Sequence, residues 1–242
     1  MLEQVVKELA PTGTLRAGIN MGNFLLVTGK TASGDPDGVS PDIAAEVARR
    51  LGVPLSLVPY DSPGQVVAAA GKNEWDIGNV GAEPQRMEKM AFTAAYAEIE
   101  ATYLVHDDSP FKSADELDRE GVTIIVRGEA AYGLYLSREI KNATLITTDT
   151  SEEALQRFLD EKLDAFAGLK SGLVNEVEKH PGTRIVDGKF AEVQQAIGTL
   201  KENTAAIAFL HDFVEEAKAS GFVGGLIEKH GVTGRLSVAP PA

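Results

Sequence analysis

Cysteine is absent from the 242 residues, which excludes disulfides, thiolate metal sites and cysteine nucleophiles. The absence assigns no compartment, because an oxidising one permits disulfides without requiring them. No apolar run reaches the roughly 18 residues that a membrane-spanning helix needs. Positive charge is scarce: 23 Lys and Arg face 36 Asp and Glu, a formal charge of −13. Nucleic acid and anionic membrane surfaces are therefore not expected partners, and the acidity reads as solubility. The four histidines (His106, His180, His211, His230) lack metal-ligand spacing, so no metal is expected. Gly29-Lys30-Thr31 resembles the end of a phosphate loop, but Phe24 stands where that loop needs glycine. Neither a dinucleotide fingerprint nor a nucleophile elbow is present. No cofactor is expected, and no catalytic residue is singled out.

The start of the chain, residues 1–8, reads as a short amphipathic helix without the charged start and apolar stretch of a secretory leader. Two expectations follow: a cytoplasmic protein that begins at Met1, or a periplasmic one whose leader has been removed.

What is present is an ordinary globular composition, 43% hydrophobic and 24% charged. The length suits one large domain or two lobes of roughly 100 residues. Strand and helix signals alternate throughout, which predicts an α/β protein with mostly parallel strands. Residues 15–19 read as a strand. Ser40 then reads as the cap of a helix starting at Pro41, with Ile43, Ala44, Val47, Ala48 and Leu51 at helical spacing and Gly52 as its stop. Residues 55–58 form the next strand, Ser62-Pro63 opens a helix ending near Gly71, and residues 75–78 begin another strand. A second block repeats the order. A capping box spans residues 113–116, a strand 122–126, a further capping box 150–153 with a helix through Leu159, and a strand 163–167. Helices follow over about 204–219 and 222–230, and the tail from Val238 reads as irregular. Each block ends a helix in a charged turn, then an apolar residue, an Asp and a strand. This is a faint echo between two lobes. No low-complexity linker intervenes, so ordered strands should join them.

One segment carries chemistry: Trp75-Asp76-Ile77-Gly78-Asn79-Val80-Gly81-Ala82-Glu83-Pro84-Gln85-Arg86, continuing to Phe92-Thr93-Ala94-Ala95-Tyr96. A strand leads to a loop, and a helix is expected from Pro84. Arg86 in its first turn would join backbone N–H groups and the helix dipole on one point suited to an anion. A surface Arg paired with Glu83 or Glu88 is the alternative. The segment resembles the Asp-Ile/Val, Thr-x-x-Arg, Phe-Ser-x-Pro-Tyr signature of type II periplasmic solute-binding proteins, the polar amino-acid family. Gly38-Val39-Ser40-Pro41-Asp42-Ile43-Ala44, Arg127-Gly128-Glu129-Ala130-Ala131 and Leu163-Asp164-Ala165 resemble three more of its motifs. The resemblance covers roughly residues 14–235.

The resemblance implies two α/β lobes with central mixed sheets joined by a two-strand hinge. Lobe 1 is expected over 1–104 plus 196–242, and lobe 2 over 105–195. The crossings fall near residues 103–105 and 194–196. It also implies that Arg86 holds a ligand carboxylate, with Asn79 and Gly81 before it, Glu129 and Ala130 across the cleft, and Gln195 beside the second crossing. Asn20, Asn23, Phe24 and Tyr132 are further cleft candidates, each equally readable as turn or core. Trp75 is assigned to the core. The chain departs from the family's pattern where it matters for the ligand. Leu169 stands where an Asp usually meets the α-ammonium, Glu83 replaces Thr, Glu129-Ala130 replaces Ser-Thr, and Pro63 replaces an aromatic. An unpaired buried ammonium is costly. The expected ligand is therefore a carboxylate without an α-amine, or an amine-bearing molecule held in another pose by Glu83 or Glu129.

The expected role is a monomeric, non-enzymatic binding protein that closes on a small molecule and delivers it to the membrane subunits of an ABC importer. A dehydratase-like enzyme acting on a cyclic carboxylate, with Glu83 and Glu129 as acids, is one alternative. A cytoplasmic ligand sensor is another.

Overall fold

The computed structural model describes residues 2–242. The chain forms two compact units. The first holds the chain up to Glu98 and again from Gln194; the second is Ile99–Val193. The two crossings thus fall at 98/99 and 193/194, where the sequence placed them near 103–105 and 194–196.

In the first unit, α1 (Leu2–Leu9) precedes β1 (Leu15–Asn20) and a hairpin of β2 (Gly29–Lys30) and β3 (Pro36–Asp37). Then come α2 (Val39–Leu51), β4 (Leu55–Tyr60), α3 (Pro63–Ala68), β5 (Ile77–Gly81) and β6 (Met90–Phe92). β7 (Ala97–His106) carries the chain out. The second unit continues with β8 (Thr123–Arg127), α4 (Ala131–Glu139), β9 (Thr144–Thr148), α5 (Ser151–Asp160), β10 (Ala165–Leu169), α6 (Lys170–Lys179) and β11 (Thr183–Ile185). β12 (Ala191–Leu200) returns to the first unit, which ends with α7 (Thr204–Ala219), α8 (Phe222–Lys229) and β13 (Ser237–Val238).

Within each unit the strand pairing is mixed and follows one plan. In the first unit β1 lies between β4 and β5, parallel to both, and β12 runs antiparallel on β5 with Gln195 opposite Gly81. In the second, β8 lies between β9 and β10, parallel to both, and β7 runs antiparallel on β10 with Leu104 opposite Phe166. The faint sequence echo has a physical counterpart here. The Asp76 carboxylate accepts the Arg16 N–H at 2.8 Å, and the Asp164 carboxylate accepts the Thr123 N–H at 2.8 Å. In each unit an Asp at the entry to the third strand thus closes the open N–H at the start of the central strand. The turn before each Asp is tight: Asn73 (φ 60) and Lys162 (φ 50) adopt the left-handed conformation.

Three local signals held. Gly52 ends α2 at φ 69, Ser62 caps α3 through the Gln65 N–H at 3.3 Å, and Thr150 caps α5 through the Glu153 N–H at 3.1 Å. Trp75 is core, with Nε1 donating to the Val66 carbonyl at 2.9 Å. Several expectations are corrected. α2 starts at Val39 behind Gly38, so Ser40 lies inside its first turn rather than capping it. A Cβ on Gly38 would sit 2.3 Å from the Leu26 carbonyl oxygen, which explains why glycine holds the cap position. The Ser113–Glu116 capping box opens only a 3₁₀ turn. Val238, expected to be irregular, pairs with Ala97. No helix among the described residues is long and apolar enough to cross a membrane.

Candidate functional site

The first unit places its candidate residues at the carboxyl end of β5, the edge where open α/β sheets present ligand-binding loops. No α-helix forms from Pro84. The chain makes a 3₁₀ turn, Arg86–Glu88, and then enters β6 at Met90. A helix-dipole argument for Arg86 therefore fails, since so short a turn sums few peptide dipoles. The surface alternative fails too: Arg86 is only 4% exposed and Glu83 only 7%. The Arg86 Nη1 donates to the Gly81 carbonyl at 2.8 Å, which orients the guanidinium against the end of the strand. The Glu83 carbonyl accepts the N–H groups of Arg86 (2.9 Å) and Met87 (3.1 Å), so the turn brings the two charged residues together.

The remaining first-unit candidates are committed to local structure in different degrees. The Asn20 Oδ1 accepts the Gly22 N–H at 3.1 Å, and the Asn23 Oδ1 accepts the Leu25 N–H at 3.2 Å. Both are side-chain-to-backbone turns that shape the loop after β1. Phe24 on that loop is 44% exposed. Asn79 is buried and donates through Nδ2 to the Ser40 carbonyl at 3.1 Å. Gln195 is buried on β12, and its carbonyl accepts the Tyr96 N–H at 2.8 Å. Asp76, part of the same sequence signature, is structural. It holds the Arg16 guanidinium through two bonds, Nε–Oδ2 at 3.0 Å and Nη2–Oδ1 at 2.6 Å.

The second unit presents its candidates at the carboxyl ends of β8 and β10. Glu129 is exposed, and Ala130 is buried as the N-cap of α4. Tyr132 is half-buried, packed on the core that includes Val126 and Leu136, and burial pushes its phenol above the ordinary range. Leu169 is half-buried and occupies the N-cap of α6. Neither cap side chain can accept a hydrogen bond, and neither helix has an acidic residue in its first turn. α5 differs, with Thr150 as cap and Glu152 and Glu153 in its first turn. Two helices of this unit thus begin with backbone N–H groups that no side chain of their own turn answers. Gly133 is required at the start of α4, because a Cβ there would lie 2.0 Å from the Arg127 carbonyl oxygen.

Three of the histidines take part in contacts within the fold. His106 stacks on Phe158 at 4.3 Å, and the His211 Nδ1 accepts the Ala94 N–H at 3.3 Å. Asp37, Asp42 and His230 gather their ligand atoms within 4.8 Å, a grouping that histidine spacing did not reveal because Asp42 and His230 meet through folding. The Asp42 Oδ2 already takes the Lys229 ammonium at 2.6 Å and the His230 Nε2 at 2.8 Å. The group is an ion-paired tie between α2 and α8.

Residues 19–233 match the family model for bacterial extracellular solute-binding proteins, family 3. No curated protein matches the chain. Among solved structures, a putative binding component of an ABC transporter from Wolinella succinogenes, complexed with lysine, is similar at 25% identity and TM-score 0.71. That likeness covers 90% of this chain and 95% of the other. The P235GK mutant of ArgBP from T. maritima gives 24% identity and TM-score 0.70 over 94% of this chain and 99% of that one. The ancestral amino acid-binding protein AncCDT-1, a precursor of cyclohexadienyl dehydratase, gives 23% and 0.68 over 94% and 98%.

Proposed function

Since this chain belongs to the bacterial extracellular solute-binding proteins of family 3, we propose that it binds a small carboxylate-bearing solute for an ABC importer, with Arg86 as the carboxylate ligand. The observation that carries the reading is the placement of Arg86: a buried guanidinium, oriented by the Gly81 carbonyl, at the carboxyl end of β5. Arginine offers a planar fork that matches a carboxylate bidentately, and burial strengthens such a pair. Glu83 and Gln195 belong to the proposed contacts of the first unit, with Asn20, Asn23 and Phe24 on the loop after β1. Glu129, Ala130, Tyr132 and Leu169 are the proposed contacts from the second.

Leu169 steers the ligand class. An apolar cap on α6 supplies no acceptor for an ammonium, and the first turn of α6 contains Lys170 and no acid. An α-amino acid of the kind named for the relatives would need its ammonium met elsewhere, and Glu83 and Glu129 are the acids to do it. Organic acids without an α-amine need no such partner.

A thermal-shift series of amino acids, amines, dicarboxylates and cyclic carboxylates tests this, since a ligand of the native state raises the melting temperature. A shift with amine-free carboxylates supports the reading. A shift confined to α-amino acids makes Glu83 or Glu129 the ammonium partner and removes the argument from Leu169. A ligand recovered unchanged after incubation marks a binding protein, whereas conversion of a cyclic carboxylate supports the dehydratase-like alternative.

A further inference from the structure

Three polar side chains of the first unit are almost wholly enclosed and find no direct hydrogen-bond partner for one atom each: Ser40 Oγ, Asn79 Oδ1 and Tyr96 Oη. Their residues are 2%, 1% and 0% exposed. They come from separate places in the chain. Ser40 lies in the first turn of α2, Asn79 is central in β5, and Tyr96 directly precedes β7. One bond joins two of them, since the Asn79 Nδ2 donates to the Ser40 carbonyl at 3.1 Å. The third is held nearby, because the Tyr96 N–H donates at 2.8 Å to the Gln195 carbonyl of β12, the strand that pairs with β5 and sets Ile197 opposite Asn79. Burial raises the Tyr96 phenol above its ordinary range, and the Ser40 hydroxyl, which lies within reach of it, opposes that rise.

Buried polar atoms are rarely left unanswered, and three such atoms around one residue call for a shared partner. The chemistry of the three identifies it. Asn79 Oδ1 can only accept, since its amide nitrogen is fixed by the Ser40 carbonyl. A buried neutral phenol has a proton to donate, and Ser40 can do either. A cation buried here would carry a charge that none of the three neutral side chains offsets. An anion would serve Tyr96 and repel the Asn79 oxygen. A molecule that donates and accepts at once satisfies all three.

We propose that Ser40 Oγ, Asn79 Oδ1 and Tyr96 Oη hold one internal water molecule that ties the start of α2 to β5 and to the root of β7. Such a site gives the Asn79 side chain a role other than ligand contact. Its position is consequential because Tyr96 sits immediately before the strand that leaves the first unit.

The test is a crystal structure of the full chain at a resolution that shows ordered solvent, together with Tyr96→Phe. The expected result is one solvent peak about 2.7–3.0 Å from all three atoms. Tyr96→Phe should weaken the peak and lower the melting temperature. Direct contact between the Ser40 and Tyr96 hydroxyls with no peak would overturn the proposal. So would a peak that acquires anomalous signal after a rubidium soak, because the occupant would then be a cation.

Discussion

The two units repeat one arrangement, a central strand flanked by two parallel strands, and differ in what they hang on it. Each begins its third strand with an Asp that closes the N–H of the central strand, Asp76 on Arg16 and Asp164 on Thr123. In the first unit a guanidinium joins that contact, whereas in the second the bond is to the Thr123 backbone. The candidate sites diverge in the same sense. The first unit buries Glu83 and Arg86, while the second offers an exposed Glu129 and apolar caps at Ala130 and Leu169. A shared plan fixes where side chains emerge, and the two units place different residues there. The first unit's charged candidates are buried, and the second unit's helix starts at α4 and α6 leave backbone N–H groups without a side-chain cap.

The comparison breaks most sharply at the paired aspartates. Asp76→Ala leaves the Arg16 guanidinium, 17% exposed, without its carboxylate and should cost about 3–5 kcal/mol. Asp164→Ala loses a bond to one N–H and should cost only about 1–3 kcal/mol. Denaturant unfolding of both variants checks the ranking, and equal losses would remove the distinction. Gly133→Ala forces a methyl group onto the Arg127 carbonyl and should cost about 1–3 kcal/mol, with hydrogen exchange rising at the start of α4.

The acid response should arise in part from the first unit. Glu46 bonds Arg49 (2.7 Å) and Arg50 (3.0 Å), and Arg50 reaches Glu216 on α7 at 2.7 Å. The Arg49 bond, with help from Arg50 and against desolvation, lowers the Glu46 carboxyl from 4.5 to about 2. A depressed acid stabilises the fold above its unfolded value, so this contribution is complete above about pH 4.5 and lost as pH falls toward 2. Glu46→Gln should flatten the loss of stability in that window, read by thermal melts from pH 2 to 6. The smallest effect is expected at α6. Leu169→Asp adds a capping carboxylate worth about 0.3–1 kcal/mol to the helix start. It should also shift ligand preference toward amine-bearing molecules.

Much of this was legible in the sequence. Thr150, Ser62 and Gly52 act within one helical turn and kept their expected roles, whereas Ser40 lost the cap position to Gly38, which packs against the Leu26 carbonyl. The expected two-lobed α/β architecture with mixed sheets stands, and the family model matches residues 19–233 where the motifs suggested roughly 14–235. Long-range contacts were not legible. Arg16 and Asp76 are 60 positions apart, and nothing local marks them as partners. β2, β3, β6 and β13 have two or three residues each, too few to show a period. The helix expected at Pro84 shrank to a 3₁₀ turn because the chain enters β6 directly after it. Asn79 read as a ligand contact, yet its amide is turned to the Ser40 carbonyl, an orientation that depends on where α2 packs.

The central claim is that Arg86 supplies the carboxylate contact, and calorimetric titration of the best carboxylate hit into the wild-type chain and Arg86→Ala tests it directly. Affinity should fall by more than about 2 kcal/mol while circular dichroism shows the variant folded. Unchanged affinity in a folded variant would contradict the assignment.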